Sequence, residues 1–123
     1  MRKTFKRPFV GVAWGACRMR ATLIEEGREK HDQDQAIFGD GIAELTGEIG
    51  DVLLSTIEPW TDRFGKLGIV MAGMVGSNIG WRETPYLNCP ATLPDLAESA
   101  VRFEHCGHQM AILPGVWCTN PMG

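Results

Sequence analysis

The chain is poor in the features that would place it at a membrane or in a secreted scaffold. None of its apolar runs approaches the roughly 20 residues that a membrane-spanning helix needs, and no apolar stretch follows the basic N-terminus in the manner of a secretory signal. Repeats and low-complexity tracts are lacking too. The four cysteines, Cys17, Cys89, Cys106 and Cys118, follow neither a disulfide framework nor a zinc spacing, which suits reduced thiols in a cytoplasmic protein. The glycine-rich segment lacks the Gly-Lys-Ser/Thr ending of a P-loop, so it is not a nucleotide motif of that kind.

With 123 residues, 44% of them hydrophobic, there is enough apolar material for one domain with a core. The formal charge of -3 is unevenly spread: Lys and Arg outnumber Asp and Glu eight to three through Lys30, and the remainder is acidic. Residues 1–7 form a basic leader. A nucleic-acid arm or targeting signal would need a sustained amphipathic or apolar pattern behind it, and none follows. A solvated leader is expected, with no nucleic-acid and no membrane partner.

Phe9 to Trp14 reads as a strand, Gly15-Ala16-Cys17 as a turn and Met19 to Ile24 as a second strand, a β-hairpin start. The polar segment from Lys30 to Ala36 is expected to hold a third strand ending near Phe38, before a turn at Gly39-Asp40-Gly41. Ile42, Leu45, Ile49, Val52, Leu53 and Ile57 recur at helical spacing and predict an amphipathic helix from Ile42 to Trp60, weakened by Gly47 and Gly50. Lys66 to Ala72 reads as the next strand. A short helix is expected between Pro94 and Val101, starting near Thr92 or Asp95, and then a strand from Gln109 to Leu113 stopped by Pro114-Gly115.

The most informative stretch is Ile69 to Leu87, a buried strand opening into a loop. Gly73, Gly76 and Gly80 allow backbone amides to approach a ligand, while Ser77, Asn78, Arg82 and Tyr86 supply the hydrogen-bonding groups that a polyol acid requires. Trp81 and Tyr86 can wall such a site with apolar surface. The bland alternative is a tight, glycine-permitted turn at a strand end. His105-Cys106-Gly107-His108 invites a zinc reading, but no second ligand pair stands at a suitable spacing, and a surface loop is expected there with no metal site. Glu25-Glu26 and residues 28–34 read as solvated turn and edge positions.

The run Met71-Ala72-Gly73-Met74-Val75-Gly76-Ser77-Asn78, followed by Gly80-Trp81 and Pro85-Tyr86-Leu87, resembles the 2-dehydro-3-deoxygalactonokinase family. Weaker matches lie at Trp14-Gly15 with Arg20 and Ala21, and at Ile112-Leu113-Pro114-Gly115. The resemblance implies an α/β, ribonuclease H-like (actin-like ATPase) lobe, a mixed sheet with a β-hairpin start and flanking helices. Residues 8–123 are then the N-terminal kinase lobe, an incomplete one, since the family's chains are more than twice as long.

The activity so implied is phosphorylation of 2-dehydro-3-deoxy-D-galactonate at its terminal hydroxyl, with ATP and Mg²⁺ as cofactors and the sugar acid as partner. Gly73, Gly76, Ser77, Asn78, Arg82 and Tyr86 become substrate-binding candidates, Arg82 through the carboxylate. Gly15 and Arg20 become phosphate-binding candidates, although a strand arginine is as readily a surface residue. A homodimer is one assembly that the resemblance allows. The family pattern would place aspartate at Ala13 and hydroxyl residues near Ala16 and Cys17, so this chain departs from it at the phosphate turn, and no catalytic base is identified. The alternatives are a non-catalytic sugar-acid binding or regulatory module and a truncated, inactive gene product.

Overall fold

A computed structural model of the chain describes residues 8–25, 36–77, 80–88 and 92–117. Eight strands and three α-helices follow one another as β1 (Phe9–Trp14), β2 (Arg18–Ile24), β3 (Ala36–Asp40), α1 (Ile49–Thr56), α2 (Glu58–Phe64), β4 (Gly68–Gly73), β5 (Tyr86–Asn88), α3 (Leu93–Glu98), β6 (Val101–His105), β7 (His108–Ile112) and β8 (Gly115–Trp117). Six of the strands form one mixed sheet in the order β3-β2-β1-β4-β7-β6, and β5 pairs with β8 in a separate two-stranded sheet. The mixed α/β class, the hairpin start and the flanking helices match the expectation from sequence.

The apolar alternation of the first hairpin decides which face is covered. Val10, Val12 and Trp14 of β1 and Met19, Ala21 and Leu23 of β2 are buried, as are Ile69 and Met71 of β4, and they share a core cluster with Leu53 of α1, Trp60 of α2 and Ile57 between the two helices. Successive strand residues face opposite sides. Phe9, Ala13, Arg18, Arg20 and Ile24 therefore lie on the other face, where they are exposed. Burying a large aliphatic side chain contributes about 1.5–3 kcal/mol, so the helix-covered face supplies most of the stabilisation of this half of the sheet. The indole of Trp14 also donates from Nε1 to the Asp40 carbonyl at 3.1 Å, tying the end of β1 to the end of β3.

Three expectations change. The third strand lies at Ala36–Asp40, so Gly39 and Asp40 are strand residues and not a turn. The arginine-bearing end of β2 pairs with them (Arg18 with Asp40, Arg20 with Phe38), which pulls the strand toward the C-terminal side of the expected segment. Its expected start, with the rest of residues 26–35, lies outside the described residues.

The predicted helix from Ile42 to Trp60 is three pieces: a 3-10 turn at Ile42–Glu44, then α1 and α2. Gly47 and the extended Leu45 separate the first two. Pro59 opens α2 at its first turn, where the missing N–H breaks no helical bond, and Ile57 between the helices leaves the helical conformation.

The helix expected to run to Val101 ends at Glu98, and Val101 instead starts β6, the partner of β7. Thr92 caps α3: its hydroxyl accepts from Asp95 N–H at 3.2 Å, and its own N–H donates to Asp95 Oδ2 at 3.0 Å, a capping box. The Thr92 N–H bond to the Asp95 carboxylate, with the Thr92 side chain beside it, holds that carboxyl below its ordinary value. The His105 to His108 segment is the two-residue turn of the β6–β7 hairpin, with Cys106 and Gly107 both at positive φ (53° and 86°). Its histidines go to different partners: the Leu67 N–H donates to Nδ1 of buried His108 at 3.1 Å, and the ring of His105 meets Trp81 edge-on at 5.1 Å. No helix among the described residues is long and apolar enough to cross a membrane.

Candidate functional site

β1 and β4 run parallel and end together, Trp14 opposite Gly73. Gly73 has φ 112°, and a Cβ there would stand 2.6 Å from the Trp14 carbonyl oxygen, so both conformation and space demand glycine. The chain then turns through a 3-10 segment, Met74–Gly76, and folds back on itself. Ser77 donates to the Met74 carbonyl from its N–H (2.9 Å) and its hydroxyl (2.7 Å). Gly80 N–H donates to the Ser77 carbonyl, Trp81 N–H to Val75 and Thr84 N–H to Gly76, at 2.9, 2.8 and 2.9 Å. The Thr84 hydroxyl adds a further bond to the Gly76 carbonyl at 3.2 Å. A loop whose carbonyls are satisfied internally holds its shape without a ligand.

Where this loop meets the strand ends, a cleft of about 420 Å³ is lined by Gly15, Gly73, Met74, Gly76, Ser77, Thr84, Tyr86 and Gly115. The pairing of β5 with β8 brings Tyr86 opposite Gly115 and closes one side. A second hollow of about 590 Å³ adjoins it, lined by Ala13, Trp14, Gly15, Cys17, Arg18, Arg20, Ala72 and Gly73. Gly15 and Gly73 belong to both. The β1–β2 turn in the second hollow is closed by the Gly15 N–H bond to the Arg18 carbonyl at 3.0 Å. From the other side Ile42 and Ala43 donate to the carbonyls of Gly15 and Ala16 at 2.9 and 3.0 Å.

Of the expected substrate residues, Gly73, Gly76, Ser77 and Tyr86 come together in the cleft. Arg82 does not line it: its guanidinium lies 4.2 Å from the ring centroid of Phe103 on β6. Trp81 turns the same way, edge-on to Phe103 at 5.0 Å. Asn78 lies outside the described residues. Of the phosphate candidates, Gly15 and Arg20 share the second hollow, and Arg20 lies 5.9 Å from the Phe38 ring on the exposed sheet face. Met74, Thr84, Gly115 and Arg18 line these hollows without having been picked out from sequence. Thr84 carries a signal only in retrospect, a hydroxyl residue between the glycine loop and Pro85-Tyr86. Among the described residues no group of three His, Cys, Asp or Glu side chains is placed to hold a metal ion.

A family model described as 2-keto-3-deoxy-galactonokinase matches residues 13–123. The chain is similar to a 2-dehydro-3-deoxygalactonokinase of Escherichia coli (strain K12), 30% identical over 109 residues, covering 88% of this chain and 35% of that protein. It is also similar to a probable 2-dehydro-3-deoxygalactonokinase of Rhizobium meliloti (strain 1021), 28% identical over 110 residues with the same coverage. A crystal structure ascribed to a 2-dehydro-3-deoxygalactonokinase from Sinorhizobium meliloti superposes with a TM-score of 0.74 at 23% identity, over 93% of this chain and 36% of that one, a likeness of fold. The chain thus spans about a third of the length of the relatives it matches, over their N-terminal portion. With a family model matched across nearly its whole length, the chain belongs to the 2-keto-3-deoxy-galactonokinase family.

Proposed function

We propose that residues 8–123 form the substrate-side lobe of a cytoplasmic kinase that transfers a phosphoryl group from ATP to the terminal hydroxyl of 2-dehydro-3-deoxy-D-galactonate. The observation that carries this reading is the contiguity of the two hollows at Gly15 and Gly73. A phosphoryl donor in one and an alcohol in the other meet at that pair of glycines, where no side chain intervenes. Both hollows open at the carboxyl ends of parallel strands, the usual ligand position in open α/β sheets. The antiparallel β3-β2-β1 set continued by parallel β4 and β7 supports a ribonuclease H-like, actin-like lobe.

The chemistry of each hollow supports a different half of the substrate pair. Arg18 and Arg20 are the cations of the larger hollow, and guanidinium groups suit phosphate oxygens. The smaller cleft, with Ser77, Thr84, Tyr86 and its glycines, suits a polyol. Arg82 would have to leave Phe103 to reach a ligand carboxylate from its present position. Magnesium ions prefer carboxylate, water and phosphate oxygens. Among the described residues neither hollow is lined by an Asp or Glu, and Ala13 occupies the strand end where the resemblance leads one to expect an aspartate. The residues present fit phosphate and not the metal, so no step on this chain is routed through magnesium.

Two measurements test the reading. Calorimetric titration of the purified chain with 2-dehydro-3-deoxygalactonate is expected to show saturable binding, and its absence would overturn the substrate assignment. A coupled assay of ADP release is expected to show no turnover by these 123 residues alone. Turnover at an ordinary kinase rate, about 1–100 s⁻¹, would mean that one lobe completes the site.

A further inference from the structure

We infer that Thr84 is a ligand-contacting residue of the cleft, one that accepts a hydrogen bond from a ligand hydroxyl and thereby keeps the carboxylate end of a sugar acid away from itself. The inference rests on the substrate reading above and assigns one wall of that site. Thr84 is only 7% exposed, yet it lines the cleft together with Ser77 and Tyr86. Its hydroxyl lies 3.2 Å from the Gly76 carbonyl oxygen, and a carbonyl can only accept, so the single hydroxyl hydrogen is committed to that bond. What Thr84 has left to offer is lone pairs.

A group that approaches those lone pairs must bring its own hydrogen. A ligand hydroxyl does so; an ionised carboxylate carries none and would set oxygen against oxygen. Ser77 likewise gives its hydroxyl hydrogen to the Met74 carbonyl, at 2.7 Å. Of the three hydroxyl side chains that line the cleft, Ser77 and Thr84 give their hydrogens to the loop's own backbone, and Tyr86 stands on the paired strand β5. Among the described residues the cleft lining contains no Lys or Arg, whereas Arg18 and Arg20 line the adjoining hollow. Thr84 therefore reads the hydroxylated carbons of the ligand.

Thr84→Val is nearly isosteric and leaves the Gly76 carbonyl bonded to the residue 84 N–H, which in the unaltered chain lies at 2.9 Å. Titration calorimetry of the full chain with 2-dehydro-3-deoxygalactonate is expected to show roughly tenfold weaker binding for T84V, with the melting temperature little changed. T84S, which keeps the hydroxyl, is expected to bind within about twofold of the unaltered chain. Equal or tighter binding by T84V would overturn the inference, tighter binding because it would place the carboxylate against the lone pairs. If the unaltered chain itself fails to bind, the substrate reading falls and the assignment with it. Should T84V not fold, amide shifts of Gly76 and Thr84 in the unaltered chain decide: both are expected to move on titration with the acid, and stationary signals would reject the contact.

Discussion

The loop after β4 and the turn after β1 end at the same place in the sheet but are built differently. The first buries Val75, Gly76 and Thr84 and closes its carbonyls on its own amides and hydroxyls. The second exposes Cys17, Arg18 and Arg20 and depends on a distant segment, Gly41 to Ala43, to clasp two of its carbonyls. One is a preformed polar cleft; the other is a cationic shelf with no carboxylate among its described residues. On the proposed reading, the difference separates substrate recognition from phosphate handling on one lobe, because the former needs fixed donors and acceptors while the latter needs charge and, in a complete kinase, a metal site.

The contrast breaks most severely at the residue common to both hollows. Gly73→Val puts a branched side chain at φ 112° against the Trp14 carbonyl and is expected to cost about 3 kcal/mol or more, read as a large drop in the midpoint of denaturant unfolding. Unchanged stability would show that β1 and β4 do not meet closely there. Gly41→Ala is next: its Cβ would fall on the Ala16 backbone, so the clasp must open at about 2 kcal/mol. It should disturb anion binding at the turn before it disturbs acid binding in the cleft. An equal effect on both would erase the distinction drawn between them.

Away from both regions, Thr92→Ala should cost about 1 kcal/mol by removing the cap of α3, leaving ligand binding intact. Asp95 adds a pH signature to the same cap. Its folded pKa lies below the ordinary 3.8, so its contribution is full above that value and fades as pH falls through the lowered folded pKa. Helicity followed by circular dichroism in acid should show a small loss that Asp95→Asn abolishes.

The smallest effect on stability is expected at Arg20→Ala, within about 0.5 kcal/mol, since the side chain is exposed. The same change should weaken tripolyphosphate binding at low salt, because the guanidinium belongs to the cationic hollow. Undiminished affinity would return Arg20 to the status of a surface residue stacked on Phe38.

Much of the frame was legible because it rests on local periodicity. The alternation of β1 and β2 and the capped start of α3 needed only near neighbours. The break between α1 and α2 falls at Ile57, where the apolar spacing shows no interruption, and Pro59, near the end of the expected helix, instead sits in the first turn of α2. β5 and β8 were missed for a different reason: each is three residues long, and their pairing joins Tyr86 to Gly115 across the whole of α3, β6 and β7. Within the site, Gly73, Gly76 and Ser77 followed from the glycine-rich run, whereas Thr84 entered through a bond eight residues back along the chain.

By itself the sequence determined the hairpin, the glycine-rich strand end, the family resemblance and an alanine at position 13, where that resemblance leads one to expect an acid, because each is carried by residue identity or by contacts between near neighbours. Only the tertiary structure decided that Gly15 and Gly73 are shared by two hollows, that Arg82 and Trp81 turn to Phe103, and that Thr84 spends its hydrogen on Gly76. Those facts depend on the directions in which distant backbone segments approach one another, and the spacing of residues along a chain does not encode the direction of a hydrogen bond.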